Sequence, residues 1–159
     1  IVDQKLSAGL IFEDDVSLDL ETFNESLTSA LKWINKYGYI QFQVREIPKK
    51  SKIVTSNDSI QLLQPSPTLL RCSAQLVSFC TAKKLLDITN KFDRPVDTLI
   101  QSNWHTGINI TSINPSGVKD NTHASGGSNL SLHMPLAKRL KQEYKRVKYR
   151  HSIKKYDKL

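Results

Sequence analysis

Apolar positions along the chain recur with two different periods, and segments of one kind alternate with segments of the other in the manner of an α/β fold. Leu6 to Phe12 is a short apolar run that halts at Glu13-Asp14-Asp15, which reads as a buried strand opening onto acids. Leu20, Phe23, Leu27, Leu31 and Ile34 then recur at spacings of three and four, which puts them on one helical face. Asp19 can cap the start of that helix, and Gly38 can end it in a left-handed turn. Tyr39 to Val44 alternates as a strand does. Residues 48–67 are polar, carry Pro65 and Pro67 near their end, and read mostly as loop.

A second strand is predicted over Leu69 to Phe79, with Cys72, Ala74, Leu76 and Ser78 on one side and Arg71, Ser73, Gln75, Val77 and Phe79 on the other. A helix from about Thr81 to Asn90 would bury Ala82, Leu85 and Leu86. Pro95 suits the first turn of a further short helix. Thr106 to Ile113 is rich in β-formers and runs into the turn signal Asn114-Pro115-Ser116-Gly117. Asn121 to Asn129 is a polar, glycine-containing loop, and a basic helix is predicted from Met134 onward. No internal repeat is visible.

Charge changes this picture at one end only. The formal net charge is +8, and the stretch from Lys138 to Leu159 accounts for all of it, because its Lys and Arg outnumber Glu143 and Asp157 by eight. The preceding residues are balanced. A basic tail of this kind suits an anionic partner: a membrane surface, a phosphorylated glycolipid or a nucleic acid. A solvated helix without a partner is the plain alternative. With 159 residues and 38% hydrophobic content, the body can bury a core of its own. No apolar run approaches the roughly 20 residues that span a bilayer. The opening Ile1-Val2-Asp3-Gln4-Lys5 has an acid where a secretory leader would be basic, and it does not begin with Met, so a processed or incomplete product is expected. Cys72 and Cys80 lack the spacing and histidine partners of a zinc site and are expected to be buried, reduced thiols, with a structural disulfide as the alternative.

The acidic triplet is the most informative chemical feature. Adjacent carboxylates repel one another, burial at a strand end would add to the cost, and a hard divalent cation such as Mg²⁺ or Mn²⁺ would remove it. In a continuing strand Glu13 and Asp15 would point one way and Asp14 the other. A cation there could bridge the two phosphates of a nucleotide sugar and neutralise the departing diphosphate. An exposed acidic turn leading into a helix accounts for the same three residues equally well. His105 and His123 are candidates to complete a metal site, His123 the better of the two. Trp33, in mid-helix, reads as packing, whereas Trp104 is a candidate sugar-stacking contact. Ser125-Gly126-Gly127-Ser128 completes no phosphate-binding motif.

Three blocks, in order, carry a family resemblance. Leu10-Ile11-Phe12-Glu13-Asp14-Asp15-Val16 resembles the "LEDDV" segment of glycosyltransferase family 25, the lipopolysaccharide and lipooligosaccharide biosynthesis transferases. Ala74-Gln75-Leu76-Val77-Ser78 followed by Ala82-Lys83-Lys84-Leu85-Leu86 resembles that family's "AYIIS…AKKLL", and Arg94-Pro95-Val96-Asp97 resembles its "PxD" motif. The resemblance implies a partial GT-A-like, Rossmann-type domain over residues 1–130, with a basic helical tail over 131–159. Family members carry a further nucleotide-binding βα region before the acidic strand, so the front of the fold is expected to be missing. By the same resemblance Asp15 is the main metal ligand, with Glu13, Asp14 and His123 in support, and Asp97 is the general base. The implied cofactors are Mn²⁺ or Mg²⁺ and a UDP-sugar donor, UDP-galactose foremost, and the implied acceptor is a lipooligosaccharide. The tail would hold such an enzyme on the cytoplasmic face of the inner membrane. A nucleic-acid-binding module, disfavoured because it leaves the acids unexplained, and a catalytically dead transferase fragment are the alternatives.

Overall fold

The first helix shows how local sequence and packing divide the work. In a computed structural model of the chain, which describes residues 1–90, 94–121 and 136–156, α1 spans Leu20–Tyr37. Asp19 caps it, accepting from the Thr22 amide at 3.5 Å, and Gly38, at φ 75°, closes it with its amide on the Ile34 carbonyl. Both ends lie where the sequence places them. The buried face does so only in part, since Leu27 packs against the core together with Phe23 and Ile34. Phe23, Ser26, Ser29, Ala30 and Ile34 face the core, whereas Leu20 and Leu31 remain 66% and 53% exposed. Small residues on the inner face let the helix axis approach the sheet closely, and Ser26 loses little by burial because its hydroxyl donates to the Pro115 carbonyl at 2.6 Å.

The main sheet has six strands: β1 (Ala8–Phe12), β3 (Tyr39–Phe42), β4 (Lys52–Asn57), β5 (Ile60–Gln64), β6 (Ala74–Ser78) and β7 (Thr111–Asn114). Their order is β1-β6-β3-β7-β5-β4. β1, β3 and β7 run in one direction, and β6, between β1 and β3, runs against them. α1 therefore links two strands of like direction that leave room for a third. β2 (Val16–Leu18) and β8 (Val118–Asp120) form a separate two-stranded ribbon.

Four expectations change here. β1 is an edge strand, with Ile11 and Phe12 about two-fifths exposed, rather than a fully buried one. Residues 48–67 hold a hairpin, β4–β5, turning through Asp58-Ser59 with Asp58 at φ 48°. Its outer strand lies at the sheet's far edge, so its polar side chains face water and hide the alternation. β6 is shorter than predicted because Arg71, at φ 126°, leaves the extended conformation before it. Ser78 then caps α2 (Phe79–Thr89) by accepting from the Thr81 amide, so that helix starts earlier than expected and leaves Leu86 exposed.

Alternation along the central strands sorts the core into two clusters. Ile40, Phe42, Leu76, Leu62 and Ile113 pack with Phe23, Ala30 and Ile34 beneath α1. Tyr39, Val77 and Cys72 pack on the opposite face with Ile100, Ile108 and Ile110. That second face is covered by α2 and by α3 (Val96–Gln101), which Pro95 precedes as the cap instead of sitting within its first turn. α4 (Asn103–Thr106) and the long basic α5 (Leu136–Tyr156) complete the α/β architecture. Among the described residues no helix is long and apolar enough to cross a membrane.

Candidate functional site

β1 delivers the chain to the acidic triplet, and there the strand stops. The Glu13 amide donates to the Ser73 carbonyl at 2.9 Å, Asp14 and Asp15 form a turn, and the Asp15 carbonyl accepts from the Asn121 amide at 2.7 Å. The strand-like alternation expected of Glu13, Asp14 and Asp15 therefore does not apply. Glu13 and Asp14 are exposed and Asp15 half-buried, so water relieves much of the repulsion that burial would have sharpened. Among the described residues no group of three or more His, Cys, Asp or Glu is arranged to hold a metal ion. The donor chemistry still fits Mg²⁺ or Mn²⁺, which keep several waters and take one or two carboxylates together with substrate phosphates. His123, just beyond Asn121 in sequence, lies outside the described residues.

Asp97 sits in the first turn of α3, half-buried, with its Oδ1 accepting from the Thr98 amide at 2.7 Å. Its neighbourhood is the informative part. The Cys72 thiol is pushed up to about 12, first by burial and then by the negative charges of Asp97 and Glu13, with the Tyr39 contact acting the other way. Tyr39, fully buried, is held well above the usual phenol range by burial, then by Cys72 and Glu13. The acid after β1 and the acid that opens α3, distant in sequence, thus act on the same buried thiol.

A consequence follows for stability at high pH. Below the thiol's ordinary value of 9.0 both folded and unfolded chains keep the proton, and the contribution is intact. Above it the unfolded chain binds fewer protons than the folded one, so stability falls by about 1.4 kcal/mol per pH unit up to about pH 12. Equilibrium unfolding across this window is expected to show that slope from Cys72, steepening above pH 10.0 where the Tyr39 phenol adds its own share, and Cys72→Ala to make it shallower.

A row of neutral polar groups crosses the same face of the sheet. In register it runs Ile11, Gln75, Gln41, Ser112, Leu63, and the three central residues are buried. Gln75 Oε1 accepts from the Tyr39 hydroxyl, and Gln41 donates to the Arg71 carbonyl at 2.8 Å while accepting from Gln43 at 2.9 Å. Arg71 in turn is ion-paired with Asp120, beside the acidic turn. Ser112 Oγ is fully buried and, among the described residues, has no hydrogen-bond partner. Removing an unsatisfied buried hydroxyl relieves its desolvation, so Ser112→Ala is expected to stabilise the chain by about 1 kcal/mol. A rise of a few degrees in the melting temperature would register it.

These residues escaped the sequence analysis. Their one signal was the placement of Gln41 and Gln75 inside otherwise apolar strand segments. Of the other candidates, Trp33 packs against the core beneath α1, as expected of a mid-helix tryptophan. Trp104 rests 5.7 Å from the exposed His105 and 5.8 Å from Tyr156 of α5, ring centre to centre. Cys72 is buried and Cys80 exposed, and both are free thiols, so burial holds for only one of them. A shallow cleft of about 280 Å³ opens at the other end of β3, between Lys36, Ser78, Lys84 and Gly107, away from the acids. The chain matches no family model and no curated protein.

Proposed function

We propose that this chain transfers a hexose from a UDP-sugar, UDP-galactose by the family 25 resemblance, to a lipooligosaccharide or lipopolysaccharide acceptor with the help of Mn²⁺ or Mg²⁺. The observation that carries the reading is that the negative charges of Glu13 and Asp97, one from each of two separate resembling motifs, both raise the buried Cys72 thiol, which sets the two acids on the same side of the sheet. A transferase needs acids of two kinds in one place: some to hold a cation against the diphosphate, and one to take the acceptor's proton.

The roles divide accordingly. Asp15, with Glu13 and Asp14 beside it, would hold the cation. When bound, that ion supplies positive charge that stabilises the departing UDP. Asp97 accepts the proton of the acceptor hydroxyl as the sugar's bond to the diphosphate breaks and its bond to the acceptor oxygen forms, in an inverting displacement. The Thr98 amide fixes the rotation of the Asp97 carboxylate for that step.

The test is UDP release with UDP-galactose, Mn²⁺ and a lipooligosaccharide acceptor. Release is expected to proceed with Mn²⁺ and to stop when a chelator removes it. A raised melting temperature with Mn²⁺ and UDP but no release would mark a non-catalytic transferase. Neither release nor a thermal shift would sink the transferase reading.

A further inference from the structure

The basic helix α5 has two unlike sides. Tyr149, Ser152, Ile153 and Tyr156, spaced by three and four, turn toward the body; the first three are half-buried, and Tyr156 is the half-exposed end of the row. The Tyr149 hydroxyl donates to Gln101 Oε1 at the end of α3, and the Tyr156 ring meets Trp104. The helix is thus held against α3 and α4 along one side.

Among the described residues nothing packs on the opposite side. Tyr144 and Val147 are 71% and 61% exposed there, and His151 follows them on the same side. In sequence Leu140 and Leu136 extend the same spacing toward the amino end. Arg146 and Arg150 flank this stripe on one edge, and Lys148 and Lys155 on the other, all exposed. The acid of the exposed stretch, Glu143, is already paired with Arg146.

We infer that this outward face of α5 lies in the interface of an anionic phospholipid surface, with Tyr144 and Val147 entering the headgroup boundary and the flanking Lys and Arg meeting lipid phosphates. Charge selects an anionic partner, and the apolar stripe between the charges selects a lipid rather than a nucleic acid. Phosphates along a nucleic-acid backbone would match the bases but give Val147 nothing apolar to meet. A side docked on the body explains why only one face is offered. The contact also has a geometric consequence, because Gln101, which Tyr149 holds, ends the helix that begins beside Asp97. The inference goes beyond the transfer reaction and does not depend on it, since binding is read without donor or acceptor.

Sedimentation with phosphatidylglycerol–phosphatidylcholine vesicles tests it on the full chain. Binding is expected with these vesicles and to be at least about tenfold weaker with pure phosphatidylcholine. Lys148→Glu combined with Arg150→Glu is expected to weaken it by more than about tenfold, and Tyr144→Ser combined with Val147→Ser by a similar factor. All four positions are exposed, so an unchanged melting temperature serves as the folding control. Val147→Trp supplies a direct readout: its added emission should be quenched by acyl-brominated lipids, with the parent chain as reference for Trp33 and Trp104. Binding that ignores lipid charge, an unquenched Val147→Trp, or an unaffected Tyr144→Ser/Val147→Ser pair would overturn the inference. So would tighter binding to single-stranded RNA that those serine substitutions leave intact.

Discussion

Asp97→Asn is expected to slow metal-dependent UDP release by about 10²–10⁴-fold, the range by which a positioned general base accelerates proton transfer. The substitution is close to isosteric. The asparagine oxygen can still accept from the Thr98 amide, so the first turn of α3 keeps its contact and the melting temperature should hardly move. What disappears is a basic oxygen and one negative charge. The lost charge has its own readout, because Asp97 helps to keep the Cys72 thiol protonated. Titration of that thiol should shift downward in Asp97→Asn whether or not the chain is active. A shifted thiol with undiminished release would remove Asp97 from the chemistry while leaving its place in the structure intact. Asp15→Asn makes the complementary comparison: it should abolish the Mn²⁺-supported release while leaving the thiol titration near that of the parent, since Asp15 is not among the groups acting on Cys72.

Gly117→Ala is expected to cost more than about 4 kcal/mol, among the largest effects of any single substitution. Gly117 has φ 70°, where a side chain is strained by about 1–2 kcal/mol in any surroundings. Its surroundings add far more. A Cβ at this position would collide with the backbone nitrogen of Phe23 and lie 2.6 Å from its Cα, and helical backbone cannot move aside as a flexible side chain could. The Gly117 carbonyl also accepts from the Asp19 amide at 2.8 Å, so the residue that caps α1 is tied to this turn. Displacing the turn would therefore loosen the helix start together with the β2–β8 ribbon that leads away from the acids. Thermal unfolding followed by circular dichroism should show a midpoint lower by more than about 10 °C, or no cooperative transition. A loss below about 1 kcal/mol would mean that the turn and the helix are not packed as described.

Much of the candidate site was legible as residues and not as an arrangement. Glu13, Asp15 and Asp97 stand out in the sequence because acids beside a strand end and behind a proline are local patterns. Gln41, Gln75 and Ser112 do not, since a polar residue in a strand becomes meaningful only when its cross-strand neighbours and its burial are known. The geometry of the triplet was misread for a related reason. Seven residues of apolar sequence look alike in a central strand and an edge strand, but an edge strand is free to turn away, and β1 does so at Asp14.

The same division runs through the fold. The limits of α1 were settled by the sequence alone, because caps and left-handed glycines such as Asp19 and Gly38 act within a turn, whereas the start of α2 was missed although Ser78 caps it just as locally. The basic character of α5 and the α/β alternation were equally local. The buried face of α1 was only partly so: Phe23, Leu27 and Ile34 pack on the core as their spacing implies, but Leu20 and Leu31 yield the inner surface to Ser26, Ser29 and Ala30 where the helix meets the sheet. The antiparallel insertion of β6 between β1 and β3 and the shared influence of Glu13 and Asp97 on Cys72 belong to the tertiary structure for one physical reason. Each depends on hydrogen bonds and burial between segments far apart in the chain, and no window of sequence contains both partners.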